Sequence, residues 1–116
     1  MRFEHFVFGS IRIDGRTYEH DVVIDLGAVR KRKKKASRPL RVAYGHTPLS
    51  ILERIPWNCH RLVVGTGVHG ALPIVPELSR EAERRGVELV AVPTADAIAL
   101  LQEDGRDTNA VLHVTC

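Results

Sequence analysis

A chain of 116 residues is long enough to bury one aliphatic core without cross-links, and its two cysteines, Cys59 and Cys116, form no CxxC pair, which argues against a disulfide scaffold and fits a reducing cytosol. Aromatic residues make up 5% of the sequence, too few for a base-stacking platform, and no apolar run approaches the roughly 20 residues that a bilayer demands. The net charge of +3 is unevenly placed: Arg30, Lys31, Arg32, Lys33, Lys34, Lys35, Arg38 and Arg41 supply eight of the 17 basic residues, and the other nine face 14 acidic ones, so the rest of the chain stands at −5.

Met1 to His5 leads directly into strand-like sequence with no secretory pattern, which predicts a cytoplasmic location and no membrane insertion. Phe6, Phe8, Ile11 and Ile13 fall roughly on strand spacing, and Asp14-Gly15 supplies the residues a tight hairpin needs. Tyr18 to Ile24 reads as the partner strand, broken at Leu26-Gly27. The basic run and Ala36-Ser37-Arg38-Pro39 read as an exposed loop or a strand end continuing into solvent, because adjacent cations repel and resist joint desolvation. Thr47 is placed to cap a short helix that Pro48 opens and Pro56 stops, with Leu49, Leu52 and Ile55 toward the core.

The second half alternates strand and helix. Leu62-Val63-Val64 and Val87 to Val92 read as buried strands, and Ala110 to Val114 as a third. Between them, Pro76 to Arg85 reads as a helix with Leu78 and Ala82 inward and Gly86 as its stop, and Thr94 caps another running to about Glu103. The order predicts one α/β domain over residues 1–116, three-layered, with a mixed, largely parallel central sheet to which the N-terminal β-hairpin adds an antiparallel element.

Gly65-Thr66-Gly67-Val68-His69-Gly70 follows a predicted strand and formally matches GxGxxG. In a dinucleotide fold the helix starts within the glycines, whereas Leu72 to Val75 intervene here before Pro76, and no acidic residue closes the next strand. No cofactor is expected on that ground. A plainer role stays open, in which Gly65 and Gly67 expose backbone N–H groups to a carboxylate or phosphate, with Thr66 and His69 as added donors. A tight turn that only redirects the chain explains the glycines equally well.

The basic run suits a polyanion or an acidic protein surface, but no aromatic residue interleaves it, so a solvated or protein-facing role is favoured over nucleic acid. Six histidines form no HxH or HxxxH pair and no cluster with cysteine, so no metal site is expected. His113 and Cys116 fall on opposite faces of an extended chain and read as a packed strand end. Asp21 and Asp25 read as members of a solvated sheet face, and the Glu77 to Arg85 charges as pairs on a wet helix.

Phe8-Gly9-Ser10-Ile11, Tyr18, Asp21-Val22-Val23-Ile24, Gly65-Thr66-Gly67, Pro76-Glu77-Leu78 and His113-Val114-Thr115-Cys116 occur in an order that resembles one family across almost the whole chain. It is the family of small stand-alone domains, widespread in bacteria and archaea, that includes mitochondrial respiratory complex I assembly factor 3 and an adipogenesis-associated cytoplasmic protein. The resemblance implies a three-layer α/β fold with a mixed sheet and no agreed catalytic set. With strand-like sequence starting directly after His5, no counterpart of the assembly factor's long targeting extension is expected.

The leading expectation is therefore a non-enzymatic cytoplasmic binding or assembly module, linked by resemblance to respiratory-complex biogenesis, with Arg30, Lys31, Arg32, Lys33, Lys34, Lys35 and Arg38 facing a protein partner. The alternative is a small-anion or nucleotide-binding protein, enzyme or not, with its site at Gly65, Thr66, Gly67 and His69. Non-specific nucleic-acid binding through the basic segment comes third.

Overall fold

A computed structural model describes residues 1–116. Strand β1 (Phe3–Val7) turns at Phe8-Gly9 into β2 (Ser10–Ile13), so the single strand expected over Phe6 to Ile13 is folded in two. The predicted hairpin follows: Ile13 pairs with Arg16 at the start of β3 (Arg16–Tyr18), and Asp14 and Gly15 both take positive φ, 51° and 80°, as a two-residue turn between twisted strands requires. These three strands form their own antiparallel sheet.

Tyr18 to Ile24 is likewise split, because Glu19 to Asp21 carry the chain away to a second sheet at β4 (Val22–Asp25). A tight turn at Leu26-Gly27 leads into β5 (Ala28–Lys31), and the exposed Leu26 is steadied by its N–H, which donates to Asn109 Oδ1 at 2.9 Å. With β6 (Arg61–Gly65), β7 (Glu88–Val92) and β8 (Thr108–Leu112) the sheet has the order β5-β4-β8-β6-β7. It is mixed, as expected, but its antiparallel members are β4 and β5 and not the N-terminal hairpin, which stays in the small sheet: β6 runs parallel to β7 and β8, while β4 runs antiparallel to β5 and β8.

Strand alternation divides the core between the two faces of this sheet. Val23, Leu62, Val64 and Val111 face helix α2 (Pro76–Arg84) through Leu78 and Ala82. Val22, Ile24, Val63, Ala110 and Leu112 face the other way, onto Ala97 of helix α3 (Thr94–Glu103) and onto Phe3, Ile11 and Ile13 of the small sheet. Each such side chain removed from water contributes about 1.5–3 kcal/mol, so this aliphatic pattern dominates the fold.

The middle of the chain departs from expectation. Ala36 to Pro39, read as loop, lies in a 3₁₀ helix over Lys35–Leu40 that continues into a single α turn, α1 (Arg41–Tyr44), closed by the Gly45 N–H to the Arg41 carbonyl at 2.8 Å. The helix expected after Thr47 is absent. Leu49 instead pairs with the 73–75 segment, its N–H donating to Pro73 O at 2.9 Å while its carbonyl accepts from Val75 N at 3.1 Å. Leu49 and Ile55 are buried as predicted, but Leu52 is 59% exposed. No helix is long and apolar enough to cross a membrane.

Candidate functional site

Strand β6 ends on the glycine turn, and the turn's N–H groups are committed within the chain. Thr66 N donates to Val92 O at 2.8 Å and Gly67 N to Thr94 Oγ1 at 2.8 Å. Val68 N donates to Thr115 O at 2.7 Å, while His69 N and Ala71 N both donate to the Cys116 backbone oxygen at 3.0 Å. Gly70 N and Leu72 N turn inward to Gly67 O and Thr66 O. The turn thus docks residues 113–116, and its backbone donors hold a peptide segment where a free anion was considered.

Side chains finish this docking. Thr94 does not cap α3 with its hydroxyl; the Oγ1 accepts from Gly67 N and donates to His113 O at 2.6 Å, tying the turn to the end of β8. Of the four turn residues, Gly65, Thr66 and Gly67 are buried and His69 is exposed.

Asp21, expected on a solvated face, is buried, and so is Arg32, expected in an exposed run. Arg32 N donates to Asp21 O at 2.9 Å and so extends the β4–β5 pairing. Side-chain alternation then sends Lys31 and Lys33 outward and Arg32 inward. Its Nε and Nη2 grip Glu53 bidentately at 2.7 and 2.8 Å, Nη1 donates to Asp21 Oδ2 at 2.9 Å, and Nη2 donates to Pro48 O at 3.0 Å. Four of the five guanidinium N–H bonds are occupied, which offsets the cost of burying the charge. Ser37 donates to Glu53 Oε2 at 2.6 Å, so the 2.7 Å contact between Ser37 and Ser50 must take its hydrogen from Ser50.

The Asp21 carboxyl is held at about 2, against an ordinary 3.8. Burial alone would raise it, but the His113 hydrogen bond and charge, the Val114 N–H and the Arg32 charge together outweigh that effect. Burial likewise opposes the Arg32 charge, and Glu53 and Asp21 reverse the balance so that its proton is held more firmly. Asp21 Oδ1 accepts from Val114 N at 3.0 Å, and Oδ2 lies 2.8 Å from His113 Nδ1. The other ring nitrogen, Nε2, is 3.1 Å from Thr115 Oγ1.

A cavity of about 270 Å³ opens beside this chain of contacts. Arg32, Lys34, Arg41, His46, His113 and Thr115 line it. It is reached by two of the seven residues expected to bind a partner, Arg32 and Lys34, and by none of Gly65, Thr66, Gly67 or His69. Ala71 and Leu72, just past the turn, do lie on its wall. Arg30 instead donates through Nη2 to Arg54 O at 2.8 Å, and Lys31, Lys33, Lys35 and Arg38 are exposed elsewhere. Asp21, expected on a solvated face, and His113, expected at a packed strand end, belong to the site, together with Glu53, His46 and Thr115, for which no role was expected. One local signal existed, since His113 and Thr115 are two apart and share a face of an extended chain.

The chain matches no family model and no curated protein sequence. Its fold recurs in solved structures. The conserved hypothetical protein PH1505 from Pyrococcus horikoshii OT3 is 31% identical, covers 100% of both chains and superposes with a TM-score of 0.81. The protein MT938 is 27% identical over 98% of this chain and 97% of its own, with a TM-score of 0.67. A Bordetella pertussis protein described as a Mth938-like domain shares the fold at 23% identity over 97% of this chain and 84% of its own, with a TM-score of 0.62. On the full-length match at 31% identity, the chain belongs to the family of small α/β domains represented by the Pyrococcus horikoshii conserved hypothetical protein.

Proposed function

We propose that the chain is a binding module for a small oxyanion, held in the cavity between Lys34, Arg41 and the His113–Thr115 pair. The observation that carries this reading is the convergence of three cations, Arg32, Lys34 and Arg41, with the hydroxyl or imidazole groups of His46, Thr47, His113 and Thr115 on one concave space of about 270 Å³. Lys34 and Arg41 form no ion pair, and Arg32 keeps one Nη1 hydrogen free of its carboxylate partners. The anion is thereby moved from the turn's backbone donors to side chains one layer away, and the turn serves to hold the wall.

Thermal unfolding with sulfate, phosphate or small carboxylates tests the reading, with sodium chloride at matched ionic strength as control. A ligand at about 100 times its dissociation constant stabilises the fold by about 2.7 kcal/mol. Stabilisation is expected in the wild type and lost in the Lys34→Ala, Arg41→Ala double variant. Equal responses in the two proteins, or none in either, overturn it.

A protein partner is the second reading, favoured by a different observation: Val42 is 96% exposed, and Leu52 lies in a shallow hollow rimmed by Lys33, Lys35 and Arg54. The resemblance to a respiratory complex I assembly factor supports a partner in complex biogenesis. Capture of specific partners that survives Leu52→Asp together with charge reversal at Lys33 and Lys35 removes this surface from consideration.

A further inference from the structure

His113 is fixed at both ring nitrogens, and the two contacts differ in kind. Asp21 is ionised and can only accept, so His113 Nδ1, at 2.8 Å from Oδ2, must carry a hydrogen. The Thr115 hydroxyl, 3.1 Å from Nε2, can do either. When the imidazole is neutral, Nε2 takes the Thr115 hydrogen and the hydroxyl offers the cavity only lone pairs. When the imidazole is protonated, Nε2 donates to Oγ1 and the hydroxyl hydrogen is free to point into the cavity.

The surrounding charges set which state prevails. Asp21, Glu53 and Arg32 side chains are 7%, 3% and 1% exposed, and their two negative charges meet one positive charge. A proton on His113 would balance the remainder. Lys34 and Arg41 line the cavity with His113 and oppose the proton, and His46 and Cys116 line it too. Glu19, His20 and Lys31 line a second hollow with Asp21, and His20 Nδ1 is 3.0 Å from the Asp21 carbonyl. An oxyanion bound among the cavity cations cancels their opposition.

We propose that binding of a fully deprotonated oxyanion in this cavity takes up a proton at His113 and so turns Thr115 from an acceptor into a donor toward the ligand. The inference rests on the anion reading above and assigns its ligand class: an anion whose oxygens are all acceptors, bound more tightly at acid pH. Reciprocity is required, since a ligand that favours the protonated ring must itself be favoured by the proton.

Sulfate is the probe, because its own charge is constant across the range. Calorimetry at about pH 5.5 and about pH 8.5, in buffers of different ionisation enthalpy, reads affinity and proton uptake together. About tenfold tighter binding on the acid side, with net proton uptake, is expected. The acid preference should shrink in Thr115→Val, vanish in His113→Gln and persist in His46→Gln. Without any variant, sulfate at fixed pH should move the His113 ring ¹⁵N signals toward the imidazolium positions. Sulfate binding with equal affinity and no proton uptake overturns this inference and leaves the anion reading standing. A pH dependence that follows His46 or ignores Thr115, or a His113 signal unmoved by bound sulfate, also overturns it. No sulfate binding at either pH, with no response to the other anions in thermal unfolding, removes both.

Discussion

Gly67 sits directly against Cys116: with φ at +106°, a Cβ at Gly67 would overlap the Cys116 carbonyl carbon and lie 2.7 Å from its oxygen. Both obstacles are backbone, and the Cys116 oxygen is held by hydrogen bonds from His69 and Ala71, so the clash cannot be relieved by a rotamer change. Gly67→Ala is therefore expected to destabilise the fold by more than about 2 kcal/mol, strain and displacement together. Urea denaturation measures it, and a loss below about 0.5 kcal/mol would mean that residues 113–116 are not docked as described.

Thr94 joins the same turn to the end of β8 with one hydroxyl, accepting from the buried Gly67 N–H and donating to His113 O. Thr94→Val keeps the shape and leaves both partners unpaired, which costs about 1–3 kcal/mol. Thr94→Ser should recover most of it. If Val and Ser are equally stable, the bridging hydroxyl contributes nothing and the turn is held by its backbone bonds alone.

Arg32 is the one member of the basic run whose loss should strongly destabilise the fold. Arg32→Met strands Asp21 and Glu53 as buried carboxylates, for which about 3–5 kcal/mol is the usual cost of breaking a buried pair. Lys31→Met and Lys33→Met, on the outward face, should stay within about 0.5 kcal/mol of wild type. A set of three equal effects would contradict the inward turn of Arg32.

The contrast shows what the sequence could and could not convey. Helix α3 lies at Thr94–Glu103, as its cap residue and apolar spacing indicate, although Thr94 uses its hydroxyl elsewhere. The strands β6 and β8 were legible as aliphatic runs because both of their faces are buried; β7, expected to be buried as well, is the edge strand, with Leu89, Val90 and Val92 half-buried and Glu88 and Ala91 exposed. Arg32 was not, since composition treats six adjacent cations alike and only the register of β5 against β4 decides which one faces inward. The Asp21–His113 pair joins residues 92 positions apart, across strands whose antiparallel neighbourhood no local pattern announces. The Leu49–Ile74 bridge defeated the expected helix for the same reason: its hydrogen bonds go to a segment distant in sequence.

Acid should unfold the protein through Asp21. Its folded pKa, about 2, lies below the ordinary 3.8, so below about pH 4 the unfolded chain binds this proton more readily than the folded one. Stability from this group is therefore complete above about pH 4 and is lost as pH falls through about 2, a span worth about 2 kcal/mol. Glu81 offers a comparison: it is held equally low by Arg84 and Arg85, but on an exposed helix face where solvent screens the pair. Glu81→Gln should leave the acid limb of a stability profile in place, whereas Asp21→Asn should lower stability near neutrality and flatten the limb. If Asp21→Asn keeps the wild-type slope between about pH 4 and about pH 2, the acid sensitivity belongs to another carboxylate and the His113–Asp21–Arg32 junction is not what ties β8 to the first strands of the sheet.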